Sequence, residues 1–161
     1  MVNNDLKRIA IVRIKGVVKT NRKVKDTLYL LRLRKTNVAV VLDNRKPILG
    51  MIKKVEPWVA WGEINKNIFK NLLLKRGRLE GNKRLSEDYI KEKTGIGINE
   101  FVDKFFRFEM ELSDIPGLKP FFRLKPPSGG YGRKGIKHPK SEGGAWGYWG
   151  EDINNLLERM I

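Results

Sequence analysis

Three short apolar runs alternate with two stretches of helical spacing, and this alternation limits what the first 64 residues can become. Ile9, Ile11, Val12 and Ile14, set among Arg8, Arg13 and Lys15, read as a first strand that ends near Gly16. Thr20 or Asn21 can cap a helix expected over about residues 22–35. Val24, Leu28, Leu31 and Lys35 would share one face of it, with Leu30 and Leu33 widening that face and Arg32, Arg34 and Lys35 near its end. Val38 to Leu42 is a buried-strand run, closed by Asp43 and Asn44. Pro47 suits the first turn of a second helix, where Ile48, Met51, Ile52 and Val55 follow at i, i+3, i+4 and i+7 until Pro57 stops it. Trp58 to Ile64 reads as a third strand. The expected unit is α+β: a compact βαβαβ core over residues 1–64, with both helices on one side of a three-stranded sheet.

Residues 65–161 read as a helical extension with an irregular, loop-rich part. Asn65 can cap a helix running through Leu72, Leu73 and Arg76, with Gly77 past its end. Ser86 is a good N-cap, Leu85 and Ile90 have staple spacing, and Gly95 ends that helix. Ile98, Val102, Phe105 and Phe106 define another amphipathic stretch over about residues 98–108, in which Phe101, Phe105 and Phe106 read as core. Pro116-Gly117 marks a turn, and Phe121 to Lys125 a short strand. The chain closes with a helix whose Ile153, Leu156, Leu157 and Met160 form one face. Between these lies a Gly/Pro/Lys-rich loop over about residues 118–150.

Charge is the second constraint. The chain has 34 Lys+Arg against 18 Asp+Glu, a formal net charge of +16. Residues 1–64 hold 15 basic and 5 acidic side chains, and eight of those cations lie in the acid-free block from Leu6 to Lys25. A second acid-free block, Leu118 to Lys140, carries seven Lys/Arg among prolines and glycines. Local acids do not relieve the self-repulsion of such blocks, so a polyanionic partner is favoured, and RNA is the commonest in a cell. A segment with so little helix or strand character is expected to need that partner to order it. The absence of Cys excludes disulfides and thiolate metal sites. No apolar run approaches 18 residues and the N-terminus lacks a signal-peptide pattern, so a soluble, cytoplasmic protein is expected.

No enzymatic constellation emerges. His138 is the single histidine and is followed by Pro139, so it reads as a loop residue that stacks or hydrogen-bonds. The glycine-rich stretch lacks Gly-Lys-Ser/Thr and does not run from strand to helix, so it is not a P-loop. Asp43, Glu56 and Glu63 suit a turn and strand ends rather than acid/base work. Neither catalytic residues, nor a metal site, nor a cofactor is expected. Trp58 and Trp61, three apart on a strand, would face opposite sides of the sheet. Tyr131, Trp146, Tyr148 and Trp149 lie among glycines and could either stack on bases or fill a gap in the core.

Several blocks, in order and at their spacing, resemble the L-thirty family of ribosomal proteins in its longer archaeal form, kin to the eukaryotic L-seven protein. They are Arg13-Ile14-Lys15-Gly16, Lys23 through Lys35, Gly50-Met51-Ile52-Lys53-Lys54-Val55 and Val59-Ala60-Trp61-Gly62-Glu63. Arg123-Leu124-Lys125-Pro126-Pro127, Gly129-Gly130, Lys137-His138-Pro139, Glu142-Gly143-Gly144 and the last amphipathic helix extend the likeness over almost the whole chain. The resemblance implies an antiparallel three-stranded sheet with its first strand in the middle and a C-terminal region packed on that core. It also implies a non-enzymatic component of the large ribosomal subunit that binds large-subunit rRNA near the 5S rRNA, beside other ribosomal proteins. The expected rRNA contacts are Arg8, Lys19, Arg22, Lys23, Lys25, Arg32, Arg34, Lys35, Arg45, Lys46, Lys53, Lys54, Arg133, Lys134, Lys137, His138 and Lys140. A free-standing nucleic-acid architectural or chaperone protein, and an RNA-processing enzyme using His138 with a lysine, are the alternatives. Neither a membrane nor a small-molecule substrate is expected as a partner.

Overall fold

The computed structural model describes residues 6–161, so the first five residues of the expected N-terminal unit lie outside it. Strand β1 (Arg8–Arg13) is central, and β2 (Val38–Asp43) and β3 (Val59–Glu63) flank it, both antiparallel. Two-residue strands from the second half extend both edges. β4 (Phe122–Arg123) pairs antiparallel with β2, and β5 (Gly147–Tyr148) pairs parallel with β3. The sheet therefore has five strands in the order β4-β2-β1-β3-β5. The first strand is in the middle, as the resemblance implies, but the sheet has five strands rather than three: β4 falls in the expected Phe121–Lys125 strand and joins the sheet, and β5 is too short and glycine-containing to show a period-2 pattern.

Every residue of β1 is buried, because both faces of the sheet are covered. Ile9 and Ile11 face α1 (Arg22–Leu30) and α2 (Lys46–Lys54), packing with Leu28, Val40, Ile52 and Val59. Ala10 and Val12 face the second half of the chain with Ala39, Val41 and Ala60. The two faces differ in bulk. Ala39, Val12 and Ala60 form one cross-strand row, and Val41, Ala10 and Gly62 the next. These small side chains leave room for large ones, and Phe69, Phe105, Phe122 and Trp149 occupy it. Phe69 of α3 (Lys66–Arg76) stacks on Phe105 of α5 (Ile98–Phe106), with centroids 4.3 Å apart, and Phe106 packs edge-on. α4 (Glu87–Thr94) starts at Ser86, whose Oγ accepts from Tyr89 N–H, and ends at left-handed Gly95. α6 (Ile153–Met160) buries Ile153, Leu156, Leu157 and Met160 completely.

α1 is shorter than its spacing predicts. It stops at Leu30, and Arg32 adopts a left-handed φ of 64°. Leu31 and Leu33 are both buried, yet two residues apart they would point to nearly opposite sides of a continuing helix. The backbone reverses at Arg32 so that both reach the core, and Lys35 is left exposed rather than facing the sheet.

Candidate nucleic-acid interface

The start of α1 is where charge and local structure disagree most. Asn21 caps the helix, its side-chain oxygen accepting from Lys23 N–H at 3.0 Å. Arg22, Lys23 and Lys25 follow, and the first turn contains no acid. A helix N-terminus already carries partial positive charge, so cations there oppose the fold's own stability. α4 has the stabilising arrangement, with Glu87 and Asp88 in its first turn and Lys91 and Lys93 in its last. Asp26 lies 3.8 Å from Arg22 with both side chains largely exposed, a geometry that contributes little. Lys19, exposed in a left-handed conformation, precedes the cap.

An open cleft between α1 and α2 brings Lys23 and Lys54 together, with Val24, Asp26 and Thr27 also lining it. Lys53 and Lys54 stand in the last turn of α2, where the dipole favours them. Lys46 is exposed at the start of that helix, and Arg45 is held by Asp43 at 2.7 Å. Arg32, Arg34 and Lys35 lie beyond α1 rather than in its last turn, all exposed, with the Arg34 guanidinium 4.4 Å above the Tyr29 ring.

The glycine-rich segment makes several hydrogen bonds of its own to the rest of the chain. Ala145 N–H donates to the His138 carbonyl at 2.8 Å, and Lys140 N–H donates to that of Trp146 at 2.8 Å. Gly144 makes this fold-back possible, since a Cβ there would collide with the His138 carbonyl. Arg159 of α6 donates to the carbonyls of Ser128 at 3.1 Å and Gly130 at 2.6 Å, pinning the start of the segment. Arg133, Lys134 and Lys137 remain exposed. Lys140 is half-buried, its ammonium 4.3 Å above the Trp149 ring, and His138 Nδ1 lies 3.6 Å from Glu142.

Arg8 is the exception among the expected contact residues. Its side chain is 2% exposed and paired bidentately with Glu111 at 2.9 and 3.1 Å. It also donates to the carbonyls of Phe105 and Met110 and lies 3.8 Å from the Phe105 ring centroid. Four of its five donors are spent inside the protein, so the buried guanidinium is withdrawn from the surface. No local signal marked this, because Arg8 is buried only once the extension covers the second face of β1. Arg13 is buried too, its pKa lowered by burial, and it donates to the carbonyls of Lys15 and Leu33. Lys15, absent from the expected set although it lies in the acid-free block, is half-buried at the end of β1. Burial, and then the nearby Lys137 charge, lower its pKa.

The aromatics divide. Trp58 and Trp61 both pack on the α1/α2 side, not on opposite faces, because Trp58 sits in the Glu56–Trp58 turn where strand alternation does not apply. Tyr131, Trp146 and Trp149 fill the core beneath the extension. Tyr148 is half-exposed over Trp61, with centroids 4.6 Å apart, and donates to the Glu63 carboxylate at 2.7 Å. Glu63, Glu151 and Asp152 border a polar hollow with Asn65 and Asn154, so these acids gather away from the cationic cleft. Gly62 permits the crossing there, since a Cβ would strike the Gly150 carbonyl.

Known proteins are similar to this chain in sequence. The family pattern described as ribosomal protein L30p/L7e matches residues 9–59, from the second residue of β1 through the first residue of β3. The large ribosomal subunit protein uL30 of Methanopyrus kandleri is 47% identical over 92% of this chain and 100% of its own length. Its counterpart in Methanococcus maripaludis is 45% identical over 94% of this chain and 98% of its own. That of Nanoarchaeum equitans is 43% identical over 94% and 97%. With such identity spanning both the βαβαβ core and the extension, the chain belongs to the uL30 family of large-subunit ribosomal proteins, which is structural rather than enzymatic.

Proposed function

We propose that the chain holds its place in the large subunit by binding folded large-subunit rRNA directly. The observation that carries this reading is the set of cations at the start of α1, which the helix dipole opposes and no first-turn acid offsets. Lys23 and Lys54 line the cleft between the two helices, and Lys19, Arg22 and Lys25 are exposed around the same helix start. Lys46 and Lys53, the exposed group Arg32, Arg34 and Lys35, and Arg133, Lys134 and Lys137 extend the surface. Arg45, His138 and Lys140 are secondary, because each already has an intramolecular partner. Recognition is of RNA shape and phosphate position, with Arg forking to phosphate and Lys acting as a point charge. The family resemblance supports a site beside the 5S rRNA and neighbouring ribosomal proteins, in cytoplasmic ribosomes.

Sedimentation of large subunits after a high-salt wash tests this. A stoichiometric component stays with the subunit, and its affinity for isolated rRNA falls steeply with salt, by about 10³–10⁵ between 50 and 200 mM for 6–10 phosphates neutralised. Release in the wash would favour a free-standing architectural or chaperone protein instead.

A further inference from the structure

We propose that the open edge of β2 is a docking groove for an extended segment of another large-subunit protein, one with apolar side chains and a carboxylate that meets Arg32. The inference goes beyond the rRNA-binding reading and does not depend on it.

Strand register explains why the edge is open. β4 pairs only with the start of β2, Val38 with Arg123 and Ala39 with Phe122. Leu124 N–H donates to the Asn37 carbonyl at 3.0 Å, so the odd-numbered residues of β2 turn their backbone groups toward β4 and the even-numbered ones toward β1. The bond from Asn44 N–H to the Lys7 carbonyl, at 3.1 Å, sets the same phase on the β1 side. Continued by two residues, the β4 register puts Pro120 opposite Val41. Proline has no N–H to give to the Val41 carbonyl, and β4 begins only at Phe122. The backbone groups of Val41 and Asp43 therefore face out of the sheet, and among the described residues no loop backbone bonds to them.

A groove runs along this edge, walled by both layers of the fold. Leu30, Ile48 and Met51 stand on one side, Leu112, Ser113 and Pro120 on the other, with Val41 and Leu42 between them. Leu30 is 70% exposed, and Leu42, Ile48 and Met51 are half-buried. The hollow continues past Leu42 to Asp43 and Arg45. An open strand edge fits a second backbone in extended form, whose N–H and C=O groups complete the ladder while alternate side chains enter the apolar wall. RNA offers phosphates where this edge needs amides, and an apolar wall does not solvate them.

Charge narrows the partner further. The acids of the groove are already neutralised, Glu111 by Arg8 at 2.9 Å and Asp43 by Arg45 at 2.7 Å. Arg32 also lines the groove, is exposed, and among the described residues pairs with no carboxylate. Of Arg32, Arg34 and Lys35, it is thus the cation directed to this partner, and a carboxylate on the incoming segment complements it.

The test is photocrosslinking in large subunits reconstituted with the full-length protein. p-Benzoylphenylalanine replaces Leu30 in one preparation and Ser113 in another; both positions are exposed, so the core is left alone. Mass spectrometry maps the linked residues. Both probes are expected to reach the same stretch of one other subunit protein, within a few residues of each other, and that stretch to combine apolar residues with an Asp or Glu. Arg32→Glu should cut the yield of both links about five-fold, because it sets two carboxylates side by side. Links to rRNA or to a second copy of this chain, links from the two probes to unrelated stretches, or no link at all would overturn the groove. Undiminished yield in Arg32→Glu would overturn the carboxylate contact. The rRNA reading stands or falls separately, on the salt dependence of binding to isolated rRNA.

Discussion

Arg8 Nη2 lies 2.9 Å from Glu111 Oε1, and this ion pair fastens the first residue of the central strand to the segment that follows α5. Glu111 is half-exposed, so the carboxylate alone contributes little; the guanidinium also satisfies the Phe105 and Met110 carbonyls and covers the Phe105 ring. Arg8→Ala is therefore expected to cost about 3 kcal/mol in denaturant unfolding, and Glu111→Gln under about 1 kcal/mol. Both variants should keep the salt slope of rRNA binding. A drop in that slope with Arg8→Ala would return Arg8 to the RNA-facing surface.

Lys23 sits where stability and binding conflict. Lys23→Glu places an acid in the first turn of α1 and is expected to raise thermal stability by about 0.3–1 kcal/mol. The same change should weaken rRNA binding and remove about one unit of salt slope. A variant that is neither more stable nor weaker in binding would contradict the reading of this helix start.

Gly144 lies against the His138 carbonyl, so Gly144→Ala must open the fold-back of the glycine-rich segment. A loss of about 1–3 kcal/mol is expected, together with faster amide hydrogen exchange at Ala145, whose N–H bonds to that same carbonyl. Unchanged exchange would show that the segment does not depend on this approach.

Tyr148 titrates late. Its hydrogen bond to Glu63, then burial, then the charges of Glu63 and Glu151 push its pKa from 10 up to about 12. The protonated phenol is the form the fold favours, so its contribution is complete below pH 10, shrinks above it and is gone beyond about pH 12. Alkaline unfolding followed by circular dichroism should show a shallower loss of stability over that window in Tyr148→Phe than in wild type. Parallel curves would mean that the Glu63 contact is absent in solution.

The sequence reveals the framework because its signals are local. Alternating and helical spacings mark β1, β2 and α2, and Asn21, Asn65 and Ser86 cap helices as expected. Where tertiary contacts decide, local signals mislead. The helical spacing of Leu28 and Leu31 runs on past Leu30, and only the need to bury both Leu31 and Leu33 ends the helix. Arg8 reads as a surface cation until the extension closes over the second face of β1. The junction at Asn37 has no local signal at all, since it joins the end of β1 to the glycine-rich segment through its N–H and its side-chain oxygen.

Lysine-directed crosslinking in intact large subunits reads the rRNA interface in its working setting. Links to large-subunit rRNA are expected from Lys19, Lys23, Lys54 and Lys137. Few are expected from Lys91 and Lys93, which the dipole of α4 already explains. Links confined to messenger or transfer RNA, or rRNA links from α4 with none from the cleft between α1 and α2, would contradict the rRNA-binding reading.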